Sequence, residues 1–396
     1  MNPRDLEERD PHGSELVKIS LAAWPRLPHL VSDYLGPVEW LRESREADVQ
    51  LDALLARALR VAGLADREGD GYVAVQARAV ATQIEVEADP RKFGYVELVE
   101  RLLACQFVEP DQEELASLAR EVEELAAGLG LDGEGAIERW EASHLVSGEA
   151  KWDVAFEAYV AGRQYARDDF PIVFDERLDI GRTVDPITSL HLTWREPDRL
   201  LFEVNVDVGR TPATTRYEVA HNIYPGDYLH MAVLTQTTYE KQRRAAASIK
   251  LKNAPENVVA EGIEEVAPFR LRPDPEPEER LAWKLEWLRR GACLTGAVKR
   301  RGRSEPRPAV LEHLMTMGHM SERRAQQELD RIEHPLWGTY QYTYWLGRRL
   351  VEDADARAGE AVTKGPYLQW LYGGLHVPAA FLEEARRLVS GAEARP

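Results

Sequence analysis

Apolar positions recur at helical spacing along most of the chain. From 13 to 60 they return every three or four residues and are interrupted at Tyr34-Leu35-Gly36-Pro37, where a turn must fall, so this stretch predicts a helical hairpin. Amphipathic helices are predicted over 72–88, 95–106, 111–128, 133–145 and 149–168. The third opens on Asp111, Glu113 and Glu114, carboxylates that suit a helix N-terminus. Its stripe of Leu115, Leu118, Val122 and Leu125 reads as a core face rather than a cofactor box.

The period changes at Asp169. Segments 171–174, 190–194 and 200–207 are short alternating or apolar runs separated by Pro, Gly and Asp, the pattern of one small antiparallel sheet. The last run leads into a helix from Thr211 that carries His221. Pro225-Gly226 must break that helix, because proline lacks a donor and glycine tolerates a sharp reversal. Helices resume over 228–249 and 256–268. A stiff acidic linker at 272–277 precedes helices over 279–298, 307–317, 321–332, 335–352, 366–372 and 378–388. The pattern is mainly α, with a small antiparallel β-sheet beside the His221 helix. It divides into a helical scaffold at 1–168, a sheet with the ligand-bearing helices at 169–270, and a helical region at 271–396 that closes a cleft.

Composition narrows the partners. A chain of 396 residues, 44% hydrophobic, can bury a large core. It has no run of about 18 apolar residues, and its first residues have neither the basic end nor the apolar stretch of a signal peptide, so a cytoplasmic location is expected. Two cysteines, Cys105 and Cys293, make no disulfide framework and agree with a reducing compartment. A net charge of −18 argues against nucleic acid and anionic membranes. The one dense basic run, Lys299-Arg300-Arg301-Gly302-Arg303, is expected to end a helix in solvent.

Candidate chemistry gathers around His221. Glu218 and His221 are three apart on one helical face, as are Asp227 and His230, and Glu261, Glu264 and Glu265 add carboxylates. Such a set could build a carboxylate-rich metal site, mononuclear or dinuclear; the plain alternative is solvated helix faces. The remaining histidines show no ligand spacing, although His191 or His376 could line a cleft.

The string His221-Asn222-Ile223-Tyr224-Pro225-Gly226-Asp227 resembles the His-Glu-x-x-Pro-Gly-His motif of a large bacterial group similar to carboxypeptidase Taq-like zinc metallopeptidases, in the gluzincin group. Three further segments are similar to the same family: Asp33 to Pro37, Val204-Asn205-Val206-Asp207, and Tyr344 with Gly347. The resemblance implies a large helical metallopeptidase-like fold and one divalent metal, zinc first, on His221, Asp227 and Glu261. It also implies Tyr344 as a donor to a developing oxyanion, Gly347 as room for substrate, and Asn205 and Asp207 holding an extended substrate at an edge strand. The expected partner is a peptide or small molecule.

Two positions depart from the motif. Asn222 stands where the glutamate base is expected, so it can orient a water but cannot take a proton, and Glu218, Glu264 or Glu265 would have to serve. Asp227 stands where the second histidine is expected, which moves the preference toward iron or manganese. The expected function is a divergent metal-dependent hydrolase of peptide or amide-like substrates. The alternatives are a catalytically inactive, peptidase-like binding protein and an iron or manganese enzyme such as an oxygenase.

Overall fold

The computed structural model describes residues 1–46, 49–184, 189–195, 199–359 and 365–393, the side chains of 191–195 and 389–393 excepted. The fold is mainly α. Helices stand where the apolar period places them, among them Gly71–Ala88, Tyr95–Leu103, Gln112–Gly128 and Gly148–Asp168. Asp70 and Asp111 cap two of these, each side chain accepting from a backbone N–H of the first turn.

Three local expectations are corrected. The first concerns 13–60, where helices Pro11–Ala23, Val38–Glu46 and Leu51–Glu68 enclose a strand, β1 (Val31–Tyr34), at the expected turn. The second concerns 228–249, which is not one helix. Asp227–Leu234 gives way to a wide π turn at Thr235–Lys241, a short 3-10 turn at Ala245–Ser248, and a strand, Ile249–Leu251, that pairs antiparallel with β1. The hydroxyls of Thr237 and Thr238 bond to the carbonyls of Val233 and Gly373, and Arg243 adopts a left-handed φ of 63°. Threonines that bond backbone carbonyls compete with a regular helix, and a residue at positive φ ends it.

The third concerns the sheet. Segment 171–174 is not a strand; Val173 is 98% exposed. The strands are β2 (Leu178–Thr183), β3 (Leu190–Arg195) and β4 (Arg199–Asn205), in spatial order β2-β4-β3. β3 and β4 form an antiparallel hairpin, whereas β2 runs parallel to β4. The sheet is therefore mixed, and β4 is its central strand rather than an edge.

Among the described residues three hydrophobic clusters form the interior, and each joins distant parts of the chain. Tyr95, Tyr217, Trp287 and Trp345 belong to one, Leu16 and Ile249 to another, and Tyr159, Tyr224 and Phe381 to the third. All three cross the boundary expected at 168, and the first and third also cross that at 270. Trp287 and Trp345 stack with ring centroids 4.3 Å apart, a geometry that adds to the burial of both rings.

The helices that carry the candidate site cross closely. Pro255–Leu271 holds Glu261 and Trp337–Ala358 holds Tyr344. A Cβ on Gly347 would lie 2.0 Å from the Val258 carbonyl oxygen. Gly347 therefore lets two backbones approach, and its role is helix packing rather than room for substrate.

Candidate metal centre

The His221 helix runs Pro212–Asn222, capped by Thr211, whose side chain accepts from Thr214 N. The break after it is steric: a Cβ on Gly226 would stand 1.8 Å from the His221 carbonyl oxygen. With glycine there, the chain folds back over its own helix end and starts the next helix at Asp227.

The Glu261 helix packs alongside and presents Glu261, Glu264 and Glu265, all buried, toward His221. His221 Nε2 lies 3.6 Å from Glu261 Oε2 and 3.3 Å from Glu264 Oε2. Among the described residues, one ligand atom from each of His221, Glu261 and Glu264 lies within 4.8 Å of the others. Glu261 Oε2 is buried and has no hydrogen-bond partner. A buried acceptor left unpaired is costly, and a cation between these atoms would satisfy it.

The outer oxygens of the two glutamates are held by further contacts, and His221 Nδ1 faces a third carboxylate. Glu261 Oε1 accepts from the Tyr340 hydroxyl. Glu264 Oε1 accepts from Lys250 Nζ at 3.2 Å. His221 Nδ1 faces Glu265 Oε1 at 3.8 Å, and Glu265 is itself held by the Tyr217 hydroxyl at 2.6 Å and by Arg290 at 3.3 Å. Metal ligands are oriented by such partners.

The carboxylates here also interact electrostatically. Burial, the neighbouring Asp227 and Glu261 together push the Glu264 carboxyl well above its ordinary range. Burial acts on Glu261 in the same direction, but His221, with Lys250 and Tyr340 beside it, outweighs burial and holds Glu261 low. A crowded set of carboxylates keeps a proton that a divalent cation would displace. One imidazole and two carboxylates suit zinc, manganese or iron(II).

The remaining expected residues fall as follows. Asp227 is not among the converging atoms. Its Oδ1 takes Lys250 Nζ at 2.7 Å, because the β1 pairing of strand Ile249–Leu251 delivers that lysine to the site. Glu264, one turn beyond Glu261, stands in its place. Glu218 turns away, accepting from Ser189 Oγ at 2.7 Å and Arg210 Nε at 2.9 Å. Asn222 Nδ2 donates back to the Glu218 carbonyl at 2.7 Å. Asn205 Oδ1 accepts from Asp207 N, and the Asn205 carbonyl accepts from the buried Lys151, so both residues serve the turn after β4. His230 and His376 line a cavity whose wall also includes Lys250. The side chain of His191 lies outside the described residues.

Tyr344 does reach the site. Its ring centroid is 6.4 Å from that of His221, and the Arg290 guanidinium lies 3.6 Å from its ring centre. Burial and then Glu261 push the phenol up, so it stays a proton donor. Sequence reasoning missed Lys250, Arg290 and the role of Tyr340. Only Tyr340 carried a signal, four residues before Tyr344 on the same helical face.

No family model matches the chain, and no curated protein does. Solved structures similar to it include the putative lipoprotein from Colwellia psychrerythraea, with a TM-score of 0.61 and 16% identity over 89% of this chain and 66% of that one. Another is a putative lipoprotein of unknown function from Shewanella oneidensis, with a TM-score of 0.58 and 11% identity over 89% of this chain and 70% of that one. The chain thus spans about two thirds of their length, and at these identities the likeness is one of fold. Among the described residues no helix is long and apolar enough to cross a membrane.

Proposed function

We propose that this protein is a divalent-metal-dependent hydrolase of peptide or amide-like substrates, with the metal held by His221, Glu261 and Glu264. The observation that carries this reading is the convergence of His221 Nε2, Glu261 Oε2 and Glu264 Oε2, with the outer oxygen of each glutamate held by another side chain. When bound, a divalent cation supplies Lewis acidity toward a carbonyl and lowers the pKa of water, which reduces what is asked of a protein base. Tyr344 and Arg290 form the positive wall of the site, with the phenol as donor to a developing oxyanion. Glu265 lies 3.8 Å from His221 Nδ1, near enough to answer charge on the ring without bonding it. Two free cysteines, one buried and one half-buried, suit the cytoplasm.

A second reading is favoured by Asn222. With that side chain bonded to its own helix, Glu218 held by Arg210, and Glu265 held by Tyr217 and Arg290, no free carboxylate among the described residues takes the base position. On this reading the protein binds a peptide or small ligand without cleaving it.

One experiment separates the two. Protein stripped of metal and reloaded with zinc, manganese or iron(II) is incubated with a blocked peptide library, and cleavage is followed by mass spectrometry. Metal-restored cleavage that falls in Tyr344→Phe supports the hydrolase. Peptide binding by the loaded protein with no cleavage under any metal leaves the binding reading.

A further inference from the structure

We propose that Lys250 is a cation built into the centre: its ammonium fills a second ion position, bounded by Asp227, Glu264 and Asp33, and so holds the centre to one divalent ion. This deepens the metal-centre reading and rests on it for the first ion.

Glu264 carries the geometry. Its Oε2 lies 3.3 Å from His221 Nε2, among the converging ligand atoms, and its Oε1 lies 3.2 Å from Lys250 Nζ. A carboxylate with one oxygen toward each of two cations can serve a paired site, in which metal ions stand about 3.5–4 Å apart. Here the second partner is an ammonium. Asp227 Oδ1 takes the same nitrogen at 2.7 Å, and Asp33 stands directly across the β1 ladder from Lys250 and attracts its charge. Cross-strand partners share a face, so the pairing that delivers the lysine also delivers a third carboxylate.

Carboxylates in a group do not by themselves make an ion site. What marks this one is the cation already lodged in it and the burial of that cation's partners, since the side chains of Asp227 and Glu264 are 14% and 3% exposed. An ammonium and a divalent ion compete for such oxygens, because both need anionic acceptors once they leave bulk water. The same contact accounts for Asp227, whose spacing offers it as a ligand but whose oxygen is taken by the lysine.

Space for an exchange lies alongside. Lys250 lines a cavity of about 40 Å³. One water needs about 10–15 Å³ measured in this way, so the cavity has room for about three, and removal of the lysine side chain joins that room to the carboxylates. Ser248 Oγ, His230 Nδ1 and His376 Nδ1 belong to lining residues, are buried and have no hydrogen-bond partner, so they are suited to hold such waters. An ion at this position meets carboxylate and water oxygens, the ligand set that suits manganese.

The test counts manganese, by equilibrium dialysis and elemental analysis, in the wild type, in Lys250→Ala, and in Lys250→Ala combined with Asp227→Asn. Lys250→Ala is expected to bind about one equivalent more than the wild type, and the double variant to return to the wild-type count. Loss of the ammonium leaves buried carboxylates without a partner, so Lys250→Ala is expected to melt lower than the wild type without metal and to recover with manganese. Two equivalents in Lys250→Ala against one in the wild type support both the inference and the metal centre. One against none supports Lys250 as the resident cation while the metal-centre reading falls. One in each overturns the inference and leaves the centre standing, and none in either overturns both. An extra equivalent that survives Asp227→Asn, or a Lys250→Ala protein that manganese does not stabilise, also overturns the inference.

Discussion

Glu264 Oε2 lies 3.3 Å from His221 Nε2, whereas Asp227, which the motif spacing offers as a ligand, is bonded to Lys250. The two carboxylates therefore predict opposite outcomes. Glu264→Ala should lower metal occupancy to background. Asp227→Asn keeps a partner for Lys250 and should retain about one equivalent, as read by elemental analysis after dialysis.

Tyr340 fixes the outer oxygen of Glu261 without touching the converging atoms. Tyr340→Phe keeps the ring in its packing and removes the donor. Metal affinity is expected to fall by about 10- to 100-fold, measured by competition with a chelating dye, with little change in melting temperature. A collapse of melting with unchanged affinity would assign the hydroxyl to stability instead.

The base position gives a gain-of-function test. Asn222 contributes no proton acceptor, and its amide bonds back to Glu218. If cleavage limps for want of a base, Asn222→Glu should raise kcat by about 10²- to 10⁴-fold, the usual worth of a general base. No gain, with metal still bound, would point to the binding reading.

The turn after His221 is set by Gly226. Because a Cβ there would stand 1.8 Å from the His221 carbonyl oxygen, Gly226→Ala should destabilise by several kcal/mol, of the order of about 3 or more, and release metal as His221 shifts. Chemical denaturation and metal content should fall together.

Glu256 predicts a pH dependence away from the metal ligands. Burial pushes its carboxyl from 4.5 up to about 7, against the opposing bonds from Tyr72 and Leu251 N. A group with a raised folded pKa favours the fold below its unfolded pKa, and that contribution is lost as pH rises through the folded value. Stability should thus fall between about pH 4.5 and 7, by no more than about 3 kcal/mol from this group. Glu256→Gln should flatten that limb; parallel melting profiles for the two proteins would contradict it.

Much of the helical framework was legible because its cause is local. An apolar stripe with an aspartate cap, as at 112–128, states both the helix and its start. The break at Pro225-Gly226 was legible for the same reason; Glu261 was expected beside His221 from the family resemblance, whereas the single helix expected over 228–249 between them does not form. What escaped depends on contacts distant in sequence. The strand at Ile249–Leu251 exists because it pairs with Val31–Tyr34, more than 200 residues earlier, and nothing in its own period announces it. That pairing brings Lys250 to Asp227 and so decides which carboxylate meets His221. The direction of β2 is likewise a matter of topology, since its own residues fit a parallel or an antiparallel neighbour. Gly347 was read toward the site, but its partner is the backbone of the Glu261 helix.

On the proposed reading His221, Glu261 and Glu264 hold one divalent metal ion. The most direct test is elemental mass spectrometry of the purified protein, loaded with zinc or manganese and dialysed, beside His221→Ala, Glu261→Ala and Glu264→Ala. About one equivalent is expected in the wild type and background in each variant, all remaining folded by circular dichroism. A wild type without metal under replete conditions, or variants that keep the full equivalent, would contradict it.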